Sequence, residues 1–221
     1  MKRRLLWLLA SVLVGLASLL GPSSAVWAAD PQQAVFAGGC FWCLEHDLEV
    51  LPGVISAESG YSGGTTANPT YQQVSSGRTG HAESVLVRFD PDRISYATLL
   101  RAFWRNVDPL DGEGQFCDRG SSYRPVIFTG SADQLEQASE SERLARQELG
   151  ISGALAVAIE PLKRFWPAED YHQDYAERQA LTYNFYRWRC GRDARLDAVW
   201  GEQARLPVVW KTATAFPTNA G

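Results

Sequence analysis

The sequence lacks the features that mark nucleic-acid-binding, repeat and zinc-binding proteins. The net charge of the 221 residues is −4, and no stretch clusters lysine and arginine with interleaved aromatic residues, so nucleic acid is not an expected partner. No linker, internal repeat or low-complexity segment divides the chain. Of only four cysteines, Cys40 and Cys43 form a CxxC pair, whereas Cys117 and Cys190 stand alone. A zinc site needs a second pair of close ligands, so we expect no metal.

The one long apolar run lies at the N-terminus and has the layout of a secretory signal. Lys2–Arg4 is basic, Leu5–Leu20 is apolar, and Val26 and Ala28 suit the positions that a signal peptidase reads. An uncleaved membrane anchor is the alternative, although 16 apolar residues are short for a membrane span. We expect residues 1–28 to be cleaved, with export to the periplasm and no membrane attachment afterwards.

The mature chain, residues 29–221, is long enough for one domain with a full core. Residues 207–221 have no hydrophobic period, so we expect an irregular tail there. The chain is rich in aromatic residues, with eight Trp, eight Tyr and nine Phe, and most of these are expected in the core.

Cys40 occupies the position around which the rest of the sequence can be interpreted. A short β-prone run ends at Gly38 and Gly39, and a helical pattern begins directly afterwards, so Cys40 lies where a strand turns into a helix. Free N–H groups and the positive end of the macrodipole at a helix N-terminus stabilise a thiolate. Cys40 is therefore predicted to be a nucleophile that ionises more readily than a free cysteine, with Phe41 and Trp42 supplying apolar surface beside its sulfur.

The Cys40–Cys43 pair is open to more than one interpretation. A CxxC pair can be a redox dithiol, half of a zinc site or a structural disulfide. The structural disulfide is the stronger competitor, because exported proteins use cysteines in this way.

Hydrophobic periodicity predicts alternating strands and helices. Strands are expected at 33–38, 54–60, 83–89, 123–128 and 154–160, and helices at 41–50, 95–104, 131–149 and from about residue 170 onward. A long polar loop is expected at 61–81. The first four strands and two helices give β-α-β-β-α-β, the ferredoxin-like split βαβ order, so the predicted fold is an α+β two-layer core with an additional strand and helices.

This order predicts which residues meet. Right-handed crossovers make the first two strands parallel with the third between them, and place the fourth antiparallel on the other side of the first. One sheet edge then collects Cys40, the loop 61–81, Glu83 and the segment 118–123. A single site is implied.

A carboxyl group and tyrosine hydroxyls suit the neighbourhood of a nucleophilic thiol. Placed against apolar side chains, Glu83 would have a raised pKa and could donate a proton to a developing oxyanion. Tyr71 and Tyr123 could donate hydrogen bonds to the same oxygen. The competing interpretations are a solvated carboxylate at a strand edge and half-buried packing tyrosines.

Six blocks of the sequence resemble those of the peptide methionine sulfoxide reductase A family, in the same order along the chain. The blocks are Gly38–Cys43 (GGCFWC), Gly60–Gly64 (GYSGG), Asn68–Tyr71 (NPTY), Thr79–Glu83 (TGHAE), Phe116–Arg124 (FCDRGSSYR) and Pro167–Tyr175 (PAEDYHQDY). The resemblance spans 34 to about 189. It implies a catalytic domain that reduces the S epimer of methionine sulfoxide, free or in proteins, and so repairs oxidised exported proteins, without metal or cofactor.

The resemblance also implies a role for each matched residue. Cys40 corresponds to the nucleophile and Glu83 to the acid catalyst, while attack on the sulfoxide sulfur leaves a sulfenic acid on Cys40. The expected substrate-binding residues are Tyr71 and Tyr123 for the oxygen, Phe41 and Trp42 for the S-methyl group, and Asp118 for the substrate backbone.

A second thiol must resolve the sulfenic acid. Cys43 is the first choice, since positions three apart on a helix are neighbours, and Cys190 is the alternative. The sequence leaves open the role of Cys117 and whether it pairs with Cys190. A thioredoxin-like partner is the expected reductant, and the enzyme is expected to be a monomer.

Two other classes of protein compete with this reading of the sequence. One is a general thiol-disulfide oxidoreductase, and the other is a non-catalytic aromatic-rich binding module.

Overall fold

The structure, a computed structural model, describes residues 30–205. The predicted signal segment 1–28 and the predicted tail 207–221 lie outside the described residues. Within residues 30–205, every helix is too short or too polar to cross a membrane.

Eight strands and seven α-helices alternate along this part of the chain. The strands are β1 (Gln32–Ala37), β2 (Val54–Ser62), β3 (Ala82–Phe89), β4 (Gly114–Gln115), β5 (Asp118–Arg119), β6 (Val126–Thr129), β7 (Ala158–Pro161) and β8 (Phe165–Pro167). The helices are α1 (Phe41–Glu49), α2 (Tyr71–Ser75), α3 (Tyr96–Arg105), α4 (Ala132–Glu148), α5 (Tyr175–Arg178), α6 (Ala180–Cys190) and α7 (Arg192–Trp200). Short 3₁₀ turns cover Ser121–Tyr123, Asp170–His172 and Gly201–Gln203.

Six of the strands form one mixed sheet in the order β7-β6-β1-β3-β2-β8. β1 pairs antiparallel with both β3 and β6, and β2 pairs antiparallel with β3, so β1 and β2 run parallel with β3 between them. β7 lies parallel to β6, and β8 closes the other edge antiparallel to β2. The predicted α+β class is confirmed, and so are the neighbours predicted for the first four strands.

The central strand β1 is buried on both faces, and its side chains alternate between two apolar clusters. Ala34 and Phe36 belong to the main core, whereas Val35 and Ala37 belong to a smaller cluster on the opposite face. This is the period of two expected for a strand covered on both sides. The predicted apolar stripe of α3 is buried in the main core: Leu99, Leu100, Phe103 and Trp104.

The predicted start of α4 is confirmed, although its capping box is only half formed. The Ser131 hydroxyl accepts from the Gln134 N–H at 3.1 Å. The Gln134 side chain accepts from the Gly130 N–H instead of the Ser131 N–H. One N-cap bond is still enough to end the preceding loop and begin the helix.

The predicted loop 61–81 was wrong in part. β2 continues to Ser62, and α2 lies inside the predicted loop. This helix begins with a complete capping box between Thr70 and Gln73. The T-x-x-Q signal was present in the sequence, but a five-residue helix has no apolar period to accompany it.

Three other boundaries also differ from the prediction. The strand expected at 123–128 begins only at Val126, because Pro125 has no N–H for the ladder and Tyr123 lies in a 3₁₀ turn. The fifth predicted strand is shortened to Ala158–Pro161. The single last helix is replaced by a 3₁₀ turn and three helices, with Gly191 at φ 69° between α6 and α7.

Candidate active site

A small cavity of about 70 Å³ opens at the predicted sheet edge. Its lining includes all the site residues predicted to touch substrate, namely Cys40, Phe41, Trp42, Tyr71, Glu83, Asp118 and Tyr123, together with Tyr186. The strand order brings these residues together from distant parts of the chain. The predicted convergence at one edge is therefore confirmed.

Cys40 is the N-cap residue of α1, as predicted. Its carbonyl accepts from the N–H groups of Cys43 and Leu44 at 3.2 and 3.4 Å. Gly39 precedes it at φ 83°, where an added Cβ would lie 2.7 Å from Gln115 Cβ. Only glycine combines this backbone conformation with so close a neighbour, which places the Cys40 sulfur at the cavity.

The expectation that Cys40 ionises readily was wrong. Its side chain is only 6% exposed, and burial raises the pKa of its thiol well above the usual value. The neighbouring Cys43 sulfur and the carboxylates of Glu83 and Asp118 raise it further. The Phe41 N–H at the helix terminus donates to Glu83, so that donor is already occupied. Desolvation and nearby negative charge therefore outweigh the helix terminus.

Glu83 is a buried carboxyl group and not a solvated one. Its side chain is 2% exposed, and Oε2 accepts from the Phe41 N–H at 3.1 Å. Burial raises the pKa of Glu83 to about 8, which the Phe41 hydrogen bond only partly opposes. The predicted raised pKa is confirmed, and the group carries a proton at neutral pH.

Tyr71 and Tyr123 reach the cavity from two short helical turns. Tyr71 begins α2, and its N–H donates to Glu169 Oε1 at 2.9 Å. Tyr123 ends the 3₁₀ turn that precedes β6. Burial raises the pKa of both phenols, and the charge of Glu83 adds to that rise. Both hydroxyl groups are therefore protonated donors at neutral pH.

Aromatic side chains form the apolar wall. Phe41 is buried, and its ring lies 6.4 Å from that of Tyr71 and 4.9 Å from that of His172. Trp42 stacks on Tyr175 with centroids 3.7 Å apart, and its Nε1–H donates to His172 Nδ1 at 3.1 Å. Stacking and this hydrogen bond hold the indole in one orientation.

Asp118 pairs with a residue that the sequence interpretation missed. The Tyr186 hydroxyl on α6 donates to Asp118 Oδ2 at 2.5 Å. Burial raises the pKa of Asp118, and the Tyr186 hydrogen bond opposes that rise. The available signal was helical spacing, because Tyr186 stands one turn before Cys190 and shares its face.

The block at Pro167–Tyr175 holds two supporting residues whose role the sequence did not indicate. Glu169 Oε2 accepts from the Tyr61 hydroxyl at 2.8 Å while its Oε1 holds the Tyr71 N–H. His172 holds Trp42, as described above. His172 bonds to the side chain of Trp42 and Glu169 to the backbone of Tyr71, so both support residues that line the cavity without lining it themselves.

The four cysteines fall into two pairs with different chemistry. Cys40 and Cys43 are free and buried, whereas Cys117 and Cys190 form a disulfide. The pKa of Cys43 is lowered by its hydrogen bond with Cys40, against the effect of burial, with help from the positive charges of Arg192 and Arg187. Within residues 30–205, one set of metal-type ligands lies close together, Cys117, Asp118 and Cys190, and its two sulfurs are bonded to each other.

The fold and the cavity together define an α+β protein in which a cysteine thiol and a buried carboxyl group line one cavity. Comparison with known families takes the identification further. The chain belongs to the peptide methionine sulfoxide reductase family, whose sequence model matches residues 32–204. It is thus an oxidoreductase of the methionine sulfoxide reductase A type, and the two competing classes, a general thiol-disulfide oxidoreductase and a binding module, are set aside.

Individual relatives cover most of the chain. It is 48% identical to peptide methionine sulfoxide reductase MsrA 2 of Caulobacter vibrioides over 201 residues, which is 90% of this chain and 99% of that protein. It is 50% identical to MsrA of Limosilactobacillus reuteri over 180 residues, covering 80% of this chain and 96% of that protein.

Solved structures show the same fold. Mxr1 of Saccharomyces cerevisiae in its reduced form is similar with a TM-score of 0.64 and 27% identity, covering 71% of this chain and 91% of that one. Methionine sulfoxide reductase A of Corynebacterium diphtheriae gives a TM-score of 0.62 and 31% identity, covering 68% of this chain and 76% of that one.

Proposed function

We propose that this enzyme reduces the S epimer of methionine sulfoxide, free or within proteins, and repairs oxidised exported proteins. The observation that carries the proposal is that the Cys40 thiol and the protonated Glu83 carboxyl group line one cavity beside an aromatic wall. A sulfoxide presents a sulfur, an oxygen and a methyl group. These three groups match the thiol, the acid and the apolar wall respectively.

Substrate binding is proposed to use the cavity lining as follows. The sulfoxide oxygen accepts hydrogen bonds from Tyr71, Tyr123 and Glu83, all of which are protonated donors at neutral pH. The S-methyl group packs against Phe41 and Trp42. The substrate backbone contacts Asp118.

The reductase step then transfers the oxygen to Cys40. The Cys40 sulfur attacks the sulfoxide sulfur while Glu83 protonates the oxygen, which gives an intermediate with an S–S bond between Cys40 and the substrate. The hydroxyl group then transfers to the Cys40 sulfur as that S–S bond and the S–O bond to methionine break, which releases methionine and leaves Cys40 as a sulfenic acid. The Cys40 side chain is hydrogen-bonded to the Cys43 sulfur, and this bond lowers the pKa of Cys43, so the Cys43 thiolate is the proposed acceptor for the proton that Cys40 loses. Glu83 Oε2 is held by the Phe41 N–H, which leaves Oε1 to carry the proton that is donated.

Cys43 is the proposed resolving thiol, with Cys190 as the alternative. Attack of the Cys43 thiol on the sulfenic acid forms a Cys40–Cys43 disulfide and releases water. In support, Cys43 is a free thiol beside Cys40, whereas Cys190 is already bonded to Cys117. A thioredoxin-like dithiol would then reduce the new disulfide and complete the cycle.

A stereospecific assay tests the function. Wild-type enzyme with a dithiol reductant should convert methionine S-sulfoxide and leave the R epimer unchanged, and Cys40→Ser should show no turnover. Conversion of the R epimer would contradict the proposed stereospecificity. Appreciable activity of Cys40→Ser would show that the chemistry lies elsewhere.

The setting of the enzyme is part of the same proposal. We place it in the periplasm as a monomeric catalytic domain, residues 29–221, after cleavage of residues 1–28; the support is the basic, apolar and small-residue pattern of that segment. N-terminal sequencing of protein from a periplasmic extract should begin at Ala29.

We also class the core as ferredoxin-like, on the order β6-β1-β3-β2.

A further inference from the structure

The Cys117–Cys190 disulfide joins the two pieces of chain that form one wall of the cavity. Cys117 immediately precedes Asp118, and Cys190 lies one helical turn after Tyr186. The bond closes a sequence separation of 73 residues. The Cys117 N–H donates to Cys190 Sγ at 3.1 Å, and Cys190 Sγ lies 3.9 Å from Asp118 Oδ2. The disulfide and the Asp118–Tyr186 hydrogen bond therefore span the same gap.

The hairpin that carries Asp118 is anchored on its β4 side, where the buried Gln115 side chain bonds to the backbone of Asp108 and Asp111, and through Phe116, whose ring lies under the Arg192 guanidinium. β4 and β5 are two residues each, and such a hairpin has marginal stability alone. Its turn residue Phe116 adopts φ 57°, which is unfavourable for a side chain of that size. The ion pair between Arg119 and Asp111 within the hairpin region is exposed and adds little. The disulfide adds a covalent link from Cys117, the residue before Asp118, to α6.

We propose that the Cys117–Cys190 disulfide is a positioning element for substrate binding, which holds Asp118 against Tyr186 in the geometry that receives the substrate. The inference rests on the proposed function. A wall fixed before the substrate arrives loses little freedom on binding, so the disulfide acts on affinity and not on the chemical step. It also gives Cys117 and Cys190 a role outside the recycling of Cys40.

The test is a single turnover without reductant, in which released methionine is measured against sulfoxide concentration. Peptide mapping first establishes that the wild-type enzyme carries the Cys117–Cys190 bond and free Cys40. In the Cys117→Ser/Cys190→Ser variant the half-saturating concentration should rise about tenfold, the size of losing one hydrogen bond to a charged group. The rate at saturation should stay within about twofold of wild type, because Cys40 and Glu83 are untouched.

A double-mutant cycle separates positioning from general loosening of the fold. Asp118→Asn should weaken binding in the wild-type background and add little in the Ser/Ser background, because the disulfide acts through Asp118. Arg119→Ala is the matched control, since it breaks an exposed contact of the same hairpin and should leave the half-saturating sulfoxide concentration unchanged. If the Ser/Ser variant fails to fold, Cys117→Ala/Cys190→Ala replaces it.

Three results would overturn the inference. One is an unchanged half-saturating concentration in the Ser/Ser variant, and another is a fully additive effect of Asp118→Asn. The third is a Cys40–Cys190 bond as the first product of a turnover, which would assign Cys190 to recycling. Failure of the proposed function gives a different result, no methionine from wild type at any concentration, and the inference would fall with it.

Discussion

At the scale of single residues, burial decides what the same side chain can do. Glu83 could be placed from the sequence at the start of a strand beside Cys40, but its solvation could not, because the groups that cover it come from distant segments such as Tyr71 and Tyr123. Buried at 2% exposure, it is an acid that holds a proton at neutral pH. For Cys40, the position at the start of a helix was predicted, but the raised pKa of its thiol was not.

The protonation of Glu83 predicts the pH dependence of the reductase step. A general acid acts only while protonated, so the single-turnover rate of wild type should fall as pH rises through about 8. The Glu83→Gln variant should react about 10²- to 10⁴-fold more slowly, and its rate should not decline as pH rises through about 8. The measurement is methionine release over about pH 6 to 10, with the concentration of Cys40 thiolate followed separately by alkylation.

Glu45 provides a matched control for this prediction. It is also a buried carboxyl group, with a pKa that burial raises to about 7, but it accepts from Ser59 and Asp174 outside the cavity. The rate of Glu45→Gln should decline near pH 8 as the wild-type rate does. If the rate of Glu45→Gln did not decline there while that of Glu83→Gln did, the acid would be wrongly assigned.

Trp42 is a second residue whose role depends on its surroundings. His172 and Tyr175 fix its indole over the cavity, so Trp42→Ala should raise the half-saturating sulfoxide concentration by about tenfold or more, the scale of a lost aromatic contact. Trp188 is 74% exposed, and Trp188→Ala should leave saturation unchanged. Alkylation of Cys40 by a small reagent should proceed in both variants. Equal saturation curves would make Trp42 a packing residue only.

At the scale of elements, strands and helices with a clear hydrophobic period were predicted correctly, and short elements were not. β1, β3 and α3 lie within one residue of their predicted bounds, because alternation and the 3.6-residue stripe are clear in their sequences. β8 was missed altogether, since three residues with a proline show no period. Yet β8 matters to the site, because it pairs with β2 and leads directly into Glu169 and His172.

Gly60 predicts what β8 contributes. An added Cβ there would lie 2.3 Å from Phe165 Cζ and 2.4 Å from the Trp166 carbonyl oxygen, so Gly60→Ala should push β8 away from β2. The overpacking should lower the free energy of unfolding by about 1–3 kcal/mol. Methionine sulfoxide binding should weaken with it, because the segment carrying His172 begins there. Urea unfolding and single-turnover saturation measure the two effects.

Gly153→Ala is the control for the glycine substitution. Its Cβ would meet nothing within 4 Å and its φ is ordinary, so stability should stay the same or rise slightly. A loss equal to that of Gly60→Ala would attribute the effect to glycine removal in general and not to the β2–β8 contact.

At the scale of the whole molecule, the buried Arg192 and the partly buried Arg187 connect the C-terminal helices to the core. Arg192 is 1% exposed and donates to the carbonyl oxygens of Asn106 at 2.6 Å and Gly38 at 3.3 Å. Its guanidinium also lies 4.4 Å from the centroid of the Phe116 ring. Arg187 adds an ion pair with Asp47 on α1. None of these contacts has a local signal, since Arg192 lies 154 residues from Gly38, so sequence periodicity could not predict them.

Removing the Arg192 guanidinium should therefore destabilise the whole domain and not only its C-terminal end. Arg192→Met leaves two buried carbonyl groups without donors, at about 1–3 kcal/mol each, so the free energy of unfolding should fall by about 2–5 kcal/mol. Arg192→Lys should recover only a minor part, because one ammonium group cannot reproduce the planar fork between two carbonyls. Arg143→Met removes an exposed pair with Glu140 and should leave the unfolding midpoint unchanged. We expect Arg192→Met to unfold in a single cooperative transition, with the same lowered midpoint in the near-ultraviolet and far-ultraviolet circular dichroism signals. A separate early transition would mean that α6 and α7 unfold independently of the sheet.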